Sequence, residues 1–159
     1  AASRPDLYQG RKVVLTPLLE NSADDIDKVK RAWELCGADV RILDPETHDR
    51  VFAAVSHLPH LIAFALMNAI QGQKEGQEFL SLAGPGFRDF TRIAAGEPKM
   101  WRDIMLANRE ELLAQSKLFQ QALHNIEQAM EKGNAQALED MLTLASETRA
   151  HWRMGAKRK

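Results

Sequence analysis

The chain has 159 residues, 21 basic against 22 acidic, a formal net charge of −1, 45% apolar and 27% charged residues. That balance provides no field to gather nucleic acid or coat an anionic membrane, and the longest unbroken apolar run, Leu61 to Met67, falls far short of the roughly 20 residues of a membrane span. The single Cys36 can close no internal disulfide and no apolar segment follows the opening Ala-Ala-Ser-Arg-Pro, so a soluble protein of the reducing cytoplasm is expected.

In chain order, Lys12-Val-Val-Leu-Thr16 is a short β-branched run closed by Pro17, and Asp39-Val-Arg-Ile-Leu43 is another closed by Asp44-Pro45. Both predict strands. Between them Ser22-Ala-Asp-Asp25 reads as a helix N-terminal cap, Ile26, Val29 and Trp33 fall on one helical face, and Gly37 supplies the stop. A strand-helix-strand unit of about 35 residues cannot cover both faces of a parallel pair, so residues 1–46 are expected to be the last piece of a larger sheet.

After Pro45 the apolar spacing becomes helical almost throughout. Val51, Phe52, Val55, Leu58, Ile62, Ala65, Leu66 and Ala69 recur every three or four residues, and Pro59 inside that run predicts a kink or break. Between Pro98 and Gly133 the pattern predicts one helix, and a helix of about 30 residues spans roughly 45 Å, longer than a compact domain of this size. Part of its stripe, including Phe119, Leu123, Ile126 and Met130, is therefore expected to face another subunit. A last helix is predicted from Asn134 to Trp152, with Leu138, Met141, Leu142 and Ala145 on its buried face, followed by a basic tail over 154–159. The expected fold is mainly α, an all-helical domain over 47–153 preceded by the strand-helix-strand piece.

Chemistry concentrates in two segments. In Ser56-His-Leu-Pro-His60 the two histidines are three apart and share a helix face. They could be satisfied by backbone groups at a kink, hold a metal, or donate to the carboxylate or carbonyl of a ligand. No metal is expected, because no glutamate stands between them as in the zincin pattern and no third ligand is evident. The second segment is Gly84-Pro-Gly-Phe-Arg-Asp-Phe-Thr-Arg-Ile-Ala-Ala95. On a helix Arg88 and Arg92 leave the same side, with Asp89 placed to pair with Arg88. A guanidinium fork suits a carboxylate, and the competing reading is a solvated charged face. Gly84 and Gly86 do not form a nucleotide loop, since no strand precedes them and a third glycine is missing.

Leu7-Tyr-Gln-Gly-Arg-Lys-Val-Val-Leu-Thr-Pro17, His48-Asp-Arg-Val51, the two segments above and Trp101-Arg-Asp-Ile104, in this order, resemble the prephenate dehydrogenase family over most of the chain. The resemblance implies NAD(P)-dependent oxidative decarboxylation of prephenate to 4-hydroxyphenylpyruvate in tyrosine biosynthesis, and a homodimer. It assigns His60 and Arg92 to the substrate carboxylate, His57 to the adjacent wall of the site, and Arg88 with Asp89 to a polar gate. The family's Gly-x-Gly-x-x-Gly turn and its catalytic histidine segment do not occur here. The chain is thus expected to contain no catalytic residue, to begin near the end of a Rossmann domain, and to be inactive by itself. Arogenate dehydrogenase and a non-catalytic helical dimerisation module stay open as alternatives, and the choice of NAD or NADP is set by residues that this sequence does not include.

Overall fold

In the computed structural model residues 6–152 are described, so the basic tail expected over 154–159 lies outside them. Strands β1 (Lys12–Leu15) and β2 (Asp39–Ile42) pair in parallel, with Lys12 opposite Asp39 and Leu15 opposite Ile42. Helix α1 (Ala23–Leu35) crosses between them. Its start is the predicted cap: the Ser22 hydroxyl accepts from the Asp25 backbone N–H at 3.1 Å. Its stop is the predicted glycine, since Gly37 has φ +84°, a conformation in which a Cβ is strained. Tyr8 and Trp33 meet edge to face at 5.0 Å, which gives the small unit an aromatic anchor.

Asp44 caps helix α2 (Pro45–Phe52) by accepting from the Thr47 N–H at 2.7 Å. Hydrogen bonds from the Thr47 backbone and then its side chain hold this carboxyl below its ordinary value. The native pKa being the lower one, its contribution to stability is present above the ordinary carboxylate pKa and fades as pH falls through that value and the lowered one. We expect α2 to fray over that interval and Asp44→Asn to remove this part of the acid sensitivity, as read by amide hydrogen exchange at Thr47 and His48.

Helix α2 runs without interruption into a π-helical turn, Ala53–His57, and then into α3 (Leu58–Gln71). The Leu58 N–H donates five residues back to the Ala53 carbonyl. This widened turn falls where an α register would press the Pro59 ring against the Val55 carbonyl, so the predicted irregularity is a change of register just before the proline rather than a break. By length and composition the run Pro45–Gln71 could cross a membrane, with a mean hydropathy of 1.5 in its most apolar window, of which 11% is buried. Counting unbroken apolar residues misses this, because Ser56, His57 and His60 interleave with alanines and leucines.

Two short helices follow, α4 (Gly76–Ser81) and α5 (Pro85–Thr91), and α5 passes into a 3-10 turn, Arg92–Ala95. The single helix expected from Pro98 to Gly133 is in fact two, α6 (Pro98–Ala107) and α7 (Arg109–Glu131), separated at Asn108 with φ −108° and ψ 35°. Helix α7 is about 35 Å long at the standard rise of an α-helix. Helix α8 (Ala135–His151) begins where expected, with Asn134 accepting from the Ala137 N–H. Its expected buried face needs correction: no residue of α8 is buried, Leu138 and Met141 are half-buried, and Leu142 and Ala145 are exposed. Along α7, Phe119 and Ile126 are half-buried whereas Leu123 and Met130 are exposed.

The chain forms two compact units, one running through His48 and resuming at Ala122, the other spanning Asp49–Gln121. The second unit has a small core of Ala53, Ala63, Trp101 and Leu112. Alanines at 53 and 63 let other elements approach the π turn and α3 closely.

Candidate functional site

The π turn and α3 carry the two histidines of the second unit, and both meet Trp101 of α6. The His60 ring stacks on the indole with centroids 3.6 Å apart and planes 22° apart, and His57 approaches it edge-on at 6.4 Å. Trp101 is 8% exposed. Its place is set locally: Pro98 opens α6, and the Glu97 carboxylate accepts from the Met100 N–H at 2.6 Å. Gly96 leaves the indole its space, because a Cβ there would lie 2.5 Å from Trp101 Nε1.

Each imidazole also has a hydrogen-bond partner at Nδ1. His60 Nδ1 lies 2.9 Å from the Ser56 carbonyl, one turn back. Since a carbonyl only accepts, Nδ1 carries a proton, and a neutral His60 offers a lone pair at Nε2; it donates from Nε2 only as imidazolium. His57 Nδ1 lies 3.2 Å from Nδ2 of Asn108, whose amide also donates to the Asp49 carbonyl at 2.8 Å.

Arg88 pairs with the neighbouring Asp89 at 3.1 Å, both well exposed. Such a contact contributes little to stability. Arg92 does not continue the helix of Arg88: it heads the 3-10 turn, is exposed, and that turn packs against α3, the helix of His60. The structure therefore brings His57, His60 and Trp101 into contact, sets Arg92 on a turn against the same helix, and leaves Arg88 and Asp89 as a surface pair. Beside Trp101, Leu61, Phe64, Ala65, Arg102 and Met105 help line an open, largely apolar groove of about 360 Å³. Among the described residues no group of three or more metal-ligating side chains comes together.

Two residues of this cluster were not assigned a role from sequence. Trp101 is one apolar residue among many in the Pro98–Gly133 segment, and Asn108 lies in the same segment without marking its partners, which are 51 and 59 residues away.

Residues 44–144 match the family model described as "Prephenate dehydrogenase, dimerization domain". The chain belongs to the prephenate dehydrogenase family. It is 39% identical over 110 residues to the cyclohexadienyl dehydrogenase of Zymomonas mobilis, an alignment covering 68% of this chain and 38% of that protein. Among solved structures, prephenate dehydrogenase from Aquifex aeolicus in complex with hydroxyphenyl propionate and NAD+ superposes with a TM-score of 0.86 at 37% identity, covering 91% of this chain and 51% of that one. Synechocystis arogenate dehydrogenase superposes with a TM-score of 0.80 at 26% identity, over 91% of this chain and 53% of its own. The chain spans about half the length of these solved relatives, and its helical fold with a preceding parallel strand pair is theirs.

Proposed function

We propose that this chain is the substrate-binding and dimer-forming part of a prephenate dehydrogenase, which converts prephenate to 4-hydroxyphenylpyruvate by NAD(P)-dependent oxidative decarboxylation in tyrosine biosynthesis. The carrying observation is the pairing of His57 and His60 around the buried Trp101, within a fold that follows an enzyme described with an aromatic carboxylate and NAD+. In this reading Arg92 and the protonated form of His60, which donates from Nε2, bind a substrate carboxylate, His57 forms the neighbouring wall, and Arg88, steadied by Asp89, stands at the mouth. The likeness to the Synechocystis arogenate dehydrogenase supports a second reading, the same chemistry on an amine-bearing substrate. Side-by-side kinetics of the full-length enzyme on prephenate and arogenate separate the two.

The described residues do not fit the phosphates of a dinucleotide. At the start of α1, where an anion would be received, Ser22 already caps the Asp25 N–H and the first turn carries Asp24 and Asp25. The cleft at the end of β1, lined by Thr16, Pro17 and Ile26, also includes Asp25. Cofactor binding is accordingly assigned to the remainder of the enzyme, beyond this chain. We expect no saturable NAD binding and no turnover of prephenate by the 159-residue chain in a fluorescence titration and a steady-state assay; measurable reduction of NAD would contradict this division of labour.

Uncovered apolar surface supports the dimer. Leu118 on α7 is 66% exposed, Leu144 on α8 is 68% exposed, and the long apolar run through α3 is little buried within the chain. A homodimer is the expected mass in light scattering at micromolar concentration. A monomer with intact helicity by circular dichroism would remove this part of the proposal.

A further inference from the structure

We propose that Asn108 is a positioning residue that fixes the His57 ring in the tautomer with its proton on Nε2, an inference that rests, for its functional meaning, on the reading of His57 as a wall of the substrate site. Asn108 is the buried polar residue among the described ones, 9% exposed, and it stands where α6 gives way to α7. The backbone does not require an asparagine there to stay paired: the Asn108 N–H donates to the Ile104 carbonyl and its own carbonyl accepts from the Leu112 N–H. What the side chain adds is a bridge from α2 to the π turn, between the Asp49 carbonyl at 2.8 Å and His57 Nδ1 at 3.2 Å.

The direction of that bridge is determined by its fixed end. A backbone carbonyl can only accept, so the amide must turn Nδ2 toward Asp49; with the amide reversed, two oxygens would face each other at 2.8 Å. The same Nδ2 then presents its second hydrogen to His57 Nδ1, which must carry a lone pair to receive it. A neutral His57 therefore has its proton on Nε2. His60 is held the opposite way, because Nδ1 faces the Ser56 carbonyl and must carry the proton. The two rings flanking Trp101 thus differ in the character of Nε2, which is an N–H in His57 and, in the neutral ring, a lone pair in His60. A carboxylate or carbonyl oxygen of the ligand is complementary to the first, and a hydroxyl or ammonium hydrogen to the second.

The test is nitrogen-15 spectroscopy of the imidazoles in the 159-residue chain, at a pH where the rings are neutral, with His57 assigned by its loss in His57→Gln. The expected result is an unprotonated Nδ1 and a protonated Nε2 at His57 and a mixture of tautomers in Asn108→Leu. A wild-type His57 protonated on Nδ1 overturns the proposal even if Asn108→Leu does not fold. So does a Nε2–H tautomer that persists undiminished in a folded Asn108→Leu. In the full-length enzyme Asn108→Leu should raise the KM for prephenate about tenfold while kcat stays within about threefold, and should have no further effect once His57 is replaced by glutamine. A tautomer change with an unaltered KM would leave the hold of Asn108 on the ring standing and overturn the substrate role of His57 instead.

Discussion

Replacing Trp101 with alanine is expected to destabilise the helical unit by about 3–5 kcal/mol, the range for emptying a buried aromatic site. Trp101 is the largest side chain in a core otherwise made of Ala53, Ala63 and Leu112, so little else can collapse into its space. The substitution also removes the plate on which His60 stacks at 3.6 Å. Trp101→Phe should recover roughly half of the loss by keeping a ring against the imidazole. Gly96→Ala should reproduce part of it from outside, because its new methyl group meets the indole nitrogen. Urea unfolding followed by circular dichroism, at one protein concentration so that dimerisation does not enter, reads all three. A loss below about 1 kcal/mol in Trp101→Ala would mean that the indole is not the centre of this core.

The second large effect is expected on binding. In the full-length enzyme Arg92→Ala should raise the KM for prephenate by roughly 30-fold to 150-fold, equivalent to about 2–3 kcal/mol, with a much smaller change in kcat. A carboxylate far from the reacting carbon is held alike in ground and transition states, and removing such uniform binding shows in KM. Arg92→Lys should rescue only part, since a point charge lacks the planar fork. His60→Ala should act in the same direction but less, because its Nδ1 is committed to the Ser56 carbonyl and only Nε2 remains for a ligand. An unchanged KM in a folded, dimeric Arg92→Ala would reduce Arg92 to a surface charge.

Features of the fold that depend on neighbouring residues were legible in the sequence. Pro17 and Asp44-Pro45 close the strands, Ser22 caps α1, Gly37 stops it, and Asn134 starts α8, all through contacts within a few residues. The register change before Pro59 was legible as an irregularity but not as a π turn, because a shift of one residue barely disturbs an apolar pattern spaced at three and four. The break at Asn108 was not legible at all. Flanked by Leu106 and Arg109 it sits in good helix-forming sequence, and the partners that turn its side chain inward come from Asp49 and His57, distant in the chain. For the same reason Trp101 looked like one apolar residue among many until the fold set it against both histidines. Helix α8 shows the converse: its periodicity marks an apolar face, but among the described residues nothing buries Leu142, which is exposed.

The central claim, that Arg92 and the histidines around Trp101 bind an aromatic carboxylate, is tested most directly by calorimetric titration of the full-length enzyme with hydroxyphenyl propionate in the presence of NAD+. Binding, unlike turnover, does not depend on the chemical step. The account predicts saturable binding by the wild type and a Kd weakened by roughly 30-fold or more in Arg92→Ala, as expected for the loss of a charge-assisted two-point contact. Equal affinity in the two proteins, with Arg92→Ala folded and dimeric, would contradict it.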